Sequence, residues 1–225
     1  MNPNVPPKVD GTLRKFALRV PEIISKCSGI SIFGKLIRSI VFSTDVAIIK
    51  NVNADAVIAV YPFTPQPVIT EAILKVADIP VFVGVGGGLT AGKRVINLAS
   101  FAEMQGAIGV VVNSPTADET ISQVAAHIDI PVVVTVANDS IDIEKRIAMG
   151  ATIFNVSAAA DTPRIVEQIR HSYPDFPVIA TGGPTDESIR TTIEAGANAI
   201  TWTPPSNGEI FKSIMDAYRR NQPHP

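Results

Sequence analysis

Pro177-Val-Ile-Ala-Thr-Gly-Gly-Pro-Thr-Asp-Glu-Ser-Ile-Arg190, followed at Ile193 by Ile-Glu-Ala-Gly-Ala-Asn-Ala-Ile-Thr-Trp-Thr-Pro-Pro-Ser206, is the stretch that decides the fold. The apolar run Val178 to Ala180 ends in Gly182-Gly183, the pattern of a buried strand breaking into a tight turn. Thr185 supplies a capping hydroxyl, and Asp186 and Glu187 place acids at the positive end of the helix that follows. Gly196 stops that helix, and a second apolar strand begins at Ala199. The sum is a βαβ unit. Its glycine turn presents backbone N–H groups at a helix N-terminus, where an anion can bind.

Working back toward the start, the same alternation recurs. Strands are read at 36–40, 56–61, 81–85, 108–113, 132–136 and 152–156, before those at 178–180 and 199–203. Helix starts are read at Ser43-Thr44-Asp45, Thr90, the box Thr116-Ala-Asp-Glu119, Ser140, Thr162-Pro163 and Ser206. A repeat supports the series. Strands three, five and seven each follow a proline (Pro80, Pro131, Pro177), and strands four, six and eight each follow Gly-Ala (Gly106, Gly150, Gly196). The period is roughly 45–50 residues, two βα units, and eight units close a parallel sheet into a barrel. The expectation is one domain, a single α/β (β/α)8 barrel over 11–225. Residues 1–10 read as a loose tail. Leu13, Phe16, Ala17 and Val20 have helical spacing, so the 11–27 segment is read as an extra N-terminal helix beneath the barrel, with Cys27 in the core.

Composition narrows the functional classes. The chain has 225 residues, 46% hydrophobic and 18% charged, with a net charge of -2, so nothing points to nucleic acid. A single cysteine excludes a disulfide framework. No apolar run reaches the ~20 residues that cross a bilayer, and no apolar signal region stands at the start, so a cytoplasmic protein without membrane partners is expected. The helix faces carry no interface pattern, which leaves a homo-oligomer open.

The passage 177–206 resembles the last two strands of aldolase-type phosphate-binding (β/α)8 (TIM) barrels. That resemblance implies a substrate phosphate held by Gly182, Gly183 and the turn after strand eight. Schiff-base aldolases of this fold carry a lysine at the end of strand six; here that strand reads Ile153-Phe154-Asn155-Val156-Ser157, without one. A second, weaker likeness runs through 35–62, 81–88 and 180–183 to glycerol-uptake antiterminator regulators, which bind a small phosphate ester.

In a barrel the chemistry belongs at the C-terminal ends of the strands. The binding candidates there are Gly86, Gly87, Gly88, Asn113, Asn155, Ser157, Thr181, Gly182, Gly183, Thr203 and Ser206, with Thr201 among the same strand-end hydroxyls. Asn113 and Asn155 would orient a substrate carbonyl or hydroxyl, and their ordinary alternative is bonding the barrel rim. Gly87-Gly-Leu-Thr-Ala-Gly92-Lys93 matches most of a nucleotide P-loop, but Arg94 stands where Ser or Thr must hold Mg²⁺. The segment reads instead as a rim whose N–H groups and Lys93 reach an anionic substrate. Asp45 and Asp139 are the carboxylates nearest for acid–base work, and both also sit where helices begin and capping is the ordinary role. Ser206 has the same capping alternative. His127, His171 and His224 all lie away from strand ends, so neither a metal nor any other cofactor is called for. The expected function is an enzyme acting on a small phosphorylated or otherwise anionic molecule, of lyase or isomerase type without a Schiff base. A hydrolase on the same scaffold and a ligand-sensing regulator are the alternatives.

Overall fold

Two short strands, β1 (Ile30–Ile32) and β2 (Lys35–Ile37), pair antiparallel ahead of the repeating units. The repeat then runs β3 (Ser39–Phe42), α1 (Val46–Lys50), β4 (Ala56–Ala59), α2 (Pro67–Val76), β5 (Val81–Gly86), α3 (Lys93–Met104), β6 (Gly109–Val112) and α4 (Asp118–His127). It continues with β7 (Val132–Val136), α5 (Ile143–Ala148), β8 (Ile153–Val156), α6 (Thr162–Ser172), β9 (Val178–Thr181), α7 (Asp186–Glu194), β10 (Ala199–Trp202) and α8 (Asn207–Arg219). The structure, a computed structural model, describes residues 18–224 together with Pro7, Val9 and Gly11. β3 to β10 are parallel and form a closed barrel, sealed where Ile200, Thr201 and Trp202 pair with Ser39, Ile40 and Val41. The chain is a (β/α)8 barrel, as its alternation predicts.

The strands are apolar at nearly every position because both faces are covered. Successive residues enter different layers. Ile40, Ile58, Phe82, Val133, Ile153 and Ile179 fill the barrel interior, while their neighbours Val41, Val57, Val83, Val134, Phe154 and Val178 face the helices. The prolines of the repeat serve as strand openers. They lack an N–H, but the carbonyls of Pro80, Pro131 and Pro177 accept from Val57, Val110 and Phe154 of the preceding strands at 2.8–3.0 Å. The Gly-Ala pairs end helices in one way. Gly106, Gly150 and Gly196 have φ of 90°, 101° and 106°, and Ala107, Ala151 and Ala197 each donate to the carbonyl five residues back, a Schellman motif.

The lower end departs from the sequence reading. Residues 35–37 do not begin the barrel's first strand; they form the second arm of a hairpin, and the strand begins at Ser39. The turn is Phe33-Gly34, both with positive φ (47° and 78°), the signature of a type I′ turn usually announced by Asn or Asp rather than Phe. Ile30, Ile32 and Ile37 join the interior cluster, so the hairpin stoppers the barrel from below. In the expected 11–27 helix, Leu13, Phe16 and Ala17 lie outside the described residues. Leu18 bridges Val52, the Val20 N–H donates to Asn53 Oδ1 at 2.7 Å, and among the described residues of this segment Glu22–Lys26 is helical, as a 3-10 turn. Cys27 is buried, and burial pushes its thiol up to about 11, so it is an inert core residue. Among the described residues no helix is long and apolar enough to cross a membrane.

Ile153 is 3% exposed inside the barrel, so Ile153→Ala is expected to cost about 2–5 kcal/mol in a reversible urea titration. A loss below about 1 kcal/mol would mean that β8 does not pack as described.

Candidate functional site

At the C-terminal end of the barrel the inward positions change character around the ring. Phe42, Ile58, Val60 and Val111 make an apolar arc from β3 to β6, and Thr135, Asn155, Ser157, Thr181, Thr201 and Thr203 make a polar arc from β7 to β10. Together with Asn113 they enclose a mouth of about 250 Å³. Alternation explains the placement: Asn155 and Thr201 each stand two residues beyond an interior residue, Ile153 and Ala199, and so point the same way.

Two atoms in this arc stand out. Asn155 is 9% exposed and Thr201 6%, and neither Asn155 Oδ1 nor Thr201 Oγ1 has a hydrogen-bond partner among the described residues. Beside them the Thr181 hydroxyl bonds the Ser157 hydroxyl at 3.2 Å. A buried polar atom without a partner costs about 1–3 kcal/mol, so two facing one space call for a reason. A ligand bringing its own donors and acceptors satisfies both. The sequence had placed Asn155 and Thr201 at strand ends, but nothing in it shows which side chains find partners.

The mouth opens on two sides. Toward β9 and β10 it shares Thr181, Thr201 and Thr203 with a compartment of about 690 Å³ walled by Gly183, Pro184, Trp202, Pro204, Pro205 and Glu209. This is the expected phosphate site, and its donors are fewer than expected. The Gly182 N–H is spent on the Thr201 carbonyl at 3.3 Å, which removes it from anion binding. Ser206 is the N-cap of α8, in a box with Glu209, and donates both its N–H (2.8 Å) and its hydroxyl (2.7 Å) to that carboxylate. These bonds, the hydroxyl first, hold the Glu209 carboxyl below its usual range, so it stays charged and faces the compartment. Among the described residues the Gly183 N–H has no partner.

Toward β4 and β5 the mouth shares Val60 and Asn113 with a cavity of about 360 Å³ that Gly86 and Gly87 line. Gly88 is exposed on the same loop. Lys93 is exposed as the first residue of α3 and lines none of the three compartments, so the charge expected on the substrate lies outside them. Thr90 does not cap α3: Gly92 stands at the N-cap, and the Thr90 carbonyl accepts from the Gly87 N–H at 2.9 Å to close a tight turn. Thr116 likewise caps nothing, because its hydroxyl donates to the Asn113 carbonyl at 2.7 Å.

The two candidate acids are not brought to the mouth. Asp45 caps α1, one oxygen accepting from Ala47 (2.9 Å) and Ile48 (3.3 Å) and the other from the Asn207 amide, so both oxygens are engaged in structural bonds. Asp139 pairs with Arg164 at 3.0 Å and lines a separate cavity of about 150 Å³ beside α6. Asp142, not Asp139, caps α5. The ionisable residues lining the three connected compartments are Tyr61 and Glu209.

No family model and no curated protein matches the chain. Solved structures do. A 2,3-dimethylmalate lyase of the PEP mutase/isocitrate lyase superfamily superposes with a TM-score of 0.65 at 10% identity, over 92% of this chain and 85% of that one. A phosphonopyruvate hydrolase solved with oxalate and Mg²⁺ gives 0.61 at 12% identity, over 85% of each chain. A dihydrodipicolinate synthase from Bacillus anthracis gives 0.58 at 16% identity, over 81% of this chain and 76% of that one. Nothing in these comparisons supports the likeness to antiterminator regulators. A Mg²⁺ site does not fit the mouth, where the side-chain donors are amides and hydroxyls, because Mg²⁺ is ordinarily held through one or two carboxylates. Among the described residues no group of three or more His, Cys, Asp or Glu could hold a metal. At these identities the likeness establishes the fold these lyases and hydrolases share.

Two outcomes are expected. Replacing Thr201 by its isostere, Thr201→Val, is expected to raise the unfolding free energy by about 1 kcal/mol in urea; a fall would show that the hydroxyl has a structural partner. The second concerns pH. Asp118 bonds Lys145 at 2.7 Å and Arg146 at 2.9 Å, and Arg146 holds the Ser114 and Thr116 carbonyls beside Asn113. The Lys145 bond, followed by the charge of Arg146, lowers the Asp118 pKa from 3.8. Its stabilisation is therefore complete above 3.8 and is lost as the pH falls through the lowered value. Asp118→Asn is expected to be less stable than wild type at neutral pH, with the gap shrinking in acid. A gap independent of pH would contradict the pairing.

Proposed function

We propose that this chain is a lyase- or hydrolase-type barrel enzyme whose substrate is a small, oxygen-rich metabolite seated in the barrel mouth. The observation that carries this is the pair of buried, unpartnered atoms, Asn155 Oδ1 and Thr201 Oγ1, at the C-terminal ends of β8 and β10. An amide and a hydroxyl offer both donors and acceptors, enough to hold a carbonyl and an adjacent hydroxyl and to polarise the carbonyl for bond cleavage. The sixth barrel strand, β8, carries no lysine, so no covalent imine is part of the reading. An acidic group on the substrate would meet the Gly183 N–H, opposed by the charge of Glu209. That opposition favours a neutral head group over a phosphate.

A second reading, binding without turnover, is favoured by one observation: the mouth itself holds no charged side chain to move a proton. Incubating the protein with a bound compound and following it by NMR separates the two, since a sensor returns its ligand intact.

Calorimetry tests the site. Dihydroxyacetone is expected to bind at least as tightly as inorganic phosphate or dihydroxyacetone phosphate, and its binding to vanish in Asn155→Leu. Oxalate, the ligand of the similar hydrolase structure, is expected to show no dependence on Mg²⁺. Phosphates binding about tenfold tighter than the neutral compound, or Mg²⁺-dependent oxalate binding, would contradict the reading.

A further inference from the structure

The cavity of about 360 Å³ beside the mouth has a different chemistry from the mouth itself. Its walls include Tyr61, Phe63 and Pro65 from the loop after β4 and Leu89 from the loop after β5, with Thr64 and Asn113 as polar members. Among the described residues no charged side chain lines it. The Tyr61 hydroxyl already accepts from the Gln66 N–H at 2.9 Å. Phe63 is 74% exposed and Leu89 fully exposed, and both border one half-open space. Apolar side chains that flank a cavity gain hydrophobic free energy when a ligand fills it.

The cavity adjoins the mouth at Val60 and Asn113. Phe82 fills the interior, but the next inward position on β5 is Gly84. A Cβ there would meet Val60 Cγ2 at 3.1 Å, so Val60 packs directly over Gly84 and β5 itself adds no side chain between the two spaces. At Gly87 a Cβ would meet Asn113 Cβ and the Thr116 hydroxyl at 2.6 Å. At this boundary the glycine backbone is therefore packed closely by the side chains of Val60 and Asn113.

We infer that the ligand is a neutral aryl compound: its carbonyl or hydroxyl head bonds Asn155 and Thr201, and its ring extends past Val60 and Asn113 into the cavity between Phe63 and Leu89. The inference rests on the mouth reading above and adds the chemical class of the ligand. A dry cavity of ~150 Å³ takes up benzene, so the space here holds a ring with substituents. The faces of Tyr61, Phe63 and Pro65 suit a flat group, which stacks or meets them edge-on.

The test compares acetamide, a head alone, with phenylacetamide, the same head carrying a ring, by ligand-observed NMR titration of the whole chain. Phenylacetamide is expected to bind roughly ten- to a hundredfold tighter, the range that burying a ring supplies. The double variant Phe63→Ser, Leu89→Ser, at two exposed positions that tolerate the change, is expected to reduce that ratio to about threefold or less. Asn155→Leu is expected to remove the binding of both compounds. Equal binding of the two compounds by wild type, or a ratio unchanged in the double variant, overturns the side cavity while leaving the mouth reading intact. Binding that survives in Asn155→Leu overturns the mouth reading, and failure of wild type to bind either compound overturns both.

Discussion

Closure of the sheet between β10 and β3 is the constraint on which the rest of this molecule depends. The Ile200 N–H reaches the Arg38 carbonyl at 2.9 Å, and three residue pairs zip the first strand of the barrel to the last. Once the ring is shut, alternation along each strand leaves no freedom about which residues face inward. The same seam is tied again above the barrel, where Asp45 at the start of α1 accepts from Asn207 at the start of α8. A carboxylate that looks available for catalysis in the sequence is, in the fold, the clasp of the ring.

That fate illustrates what was legible and what was not. Strand and helix order could be read because proline and Gly-Ala marks recur with a fixed period, and each mark has a local physical cause: a carbonyl offered without an N–H, or a glycine in the left-handed region. The hairpin could not be read, because Phe33 holds a positive φ that nothing in its side chain advertises. Capping was read correctly at Thr185 and Ser206, where the hydroxyl and its N3 partner form a reciprocal box. It was misread at Thr90 and Thr116, where the chain closes a turn first and starts the helix later.

For the site, the sequence narrowed the field to strand ends and to uncharged residues, and the fold chose among them. Gly182 and Ser206 have their N–H groups committed within the protein, whereas Asn155 and Thr201 have polar atoms that are buried without partners. Partnership is a property of three-dimensional neighbours, which is why no spacing rule could separate these pairs. Retaining unsatisfied polar atoms lowers stability, and proteins keep such groups where function needs them. The division of the mouth into a polar arc from β7–β10 and an apolar arc from β3–β6 then dictates how a ligand lies in it.

The central claim is that the two unpartnered atoms form the ligand's polar contact, and a high-resolution crystal structure of the chain soaked with acetamide tests it most directly. The account predicts density for the compound within hydrogen-bond distance of both Asn155 and Thr201, with their side chains placed as described. Side chains of Asn155 and Thr201 turned to pair with other barrel residues, with acetamide bound elsewhere or nowhere, would contradict it.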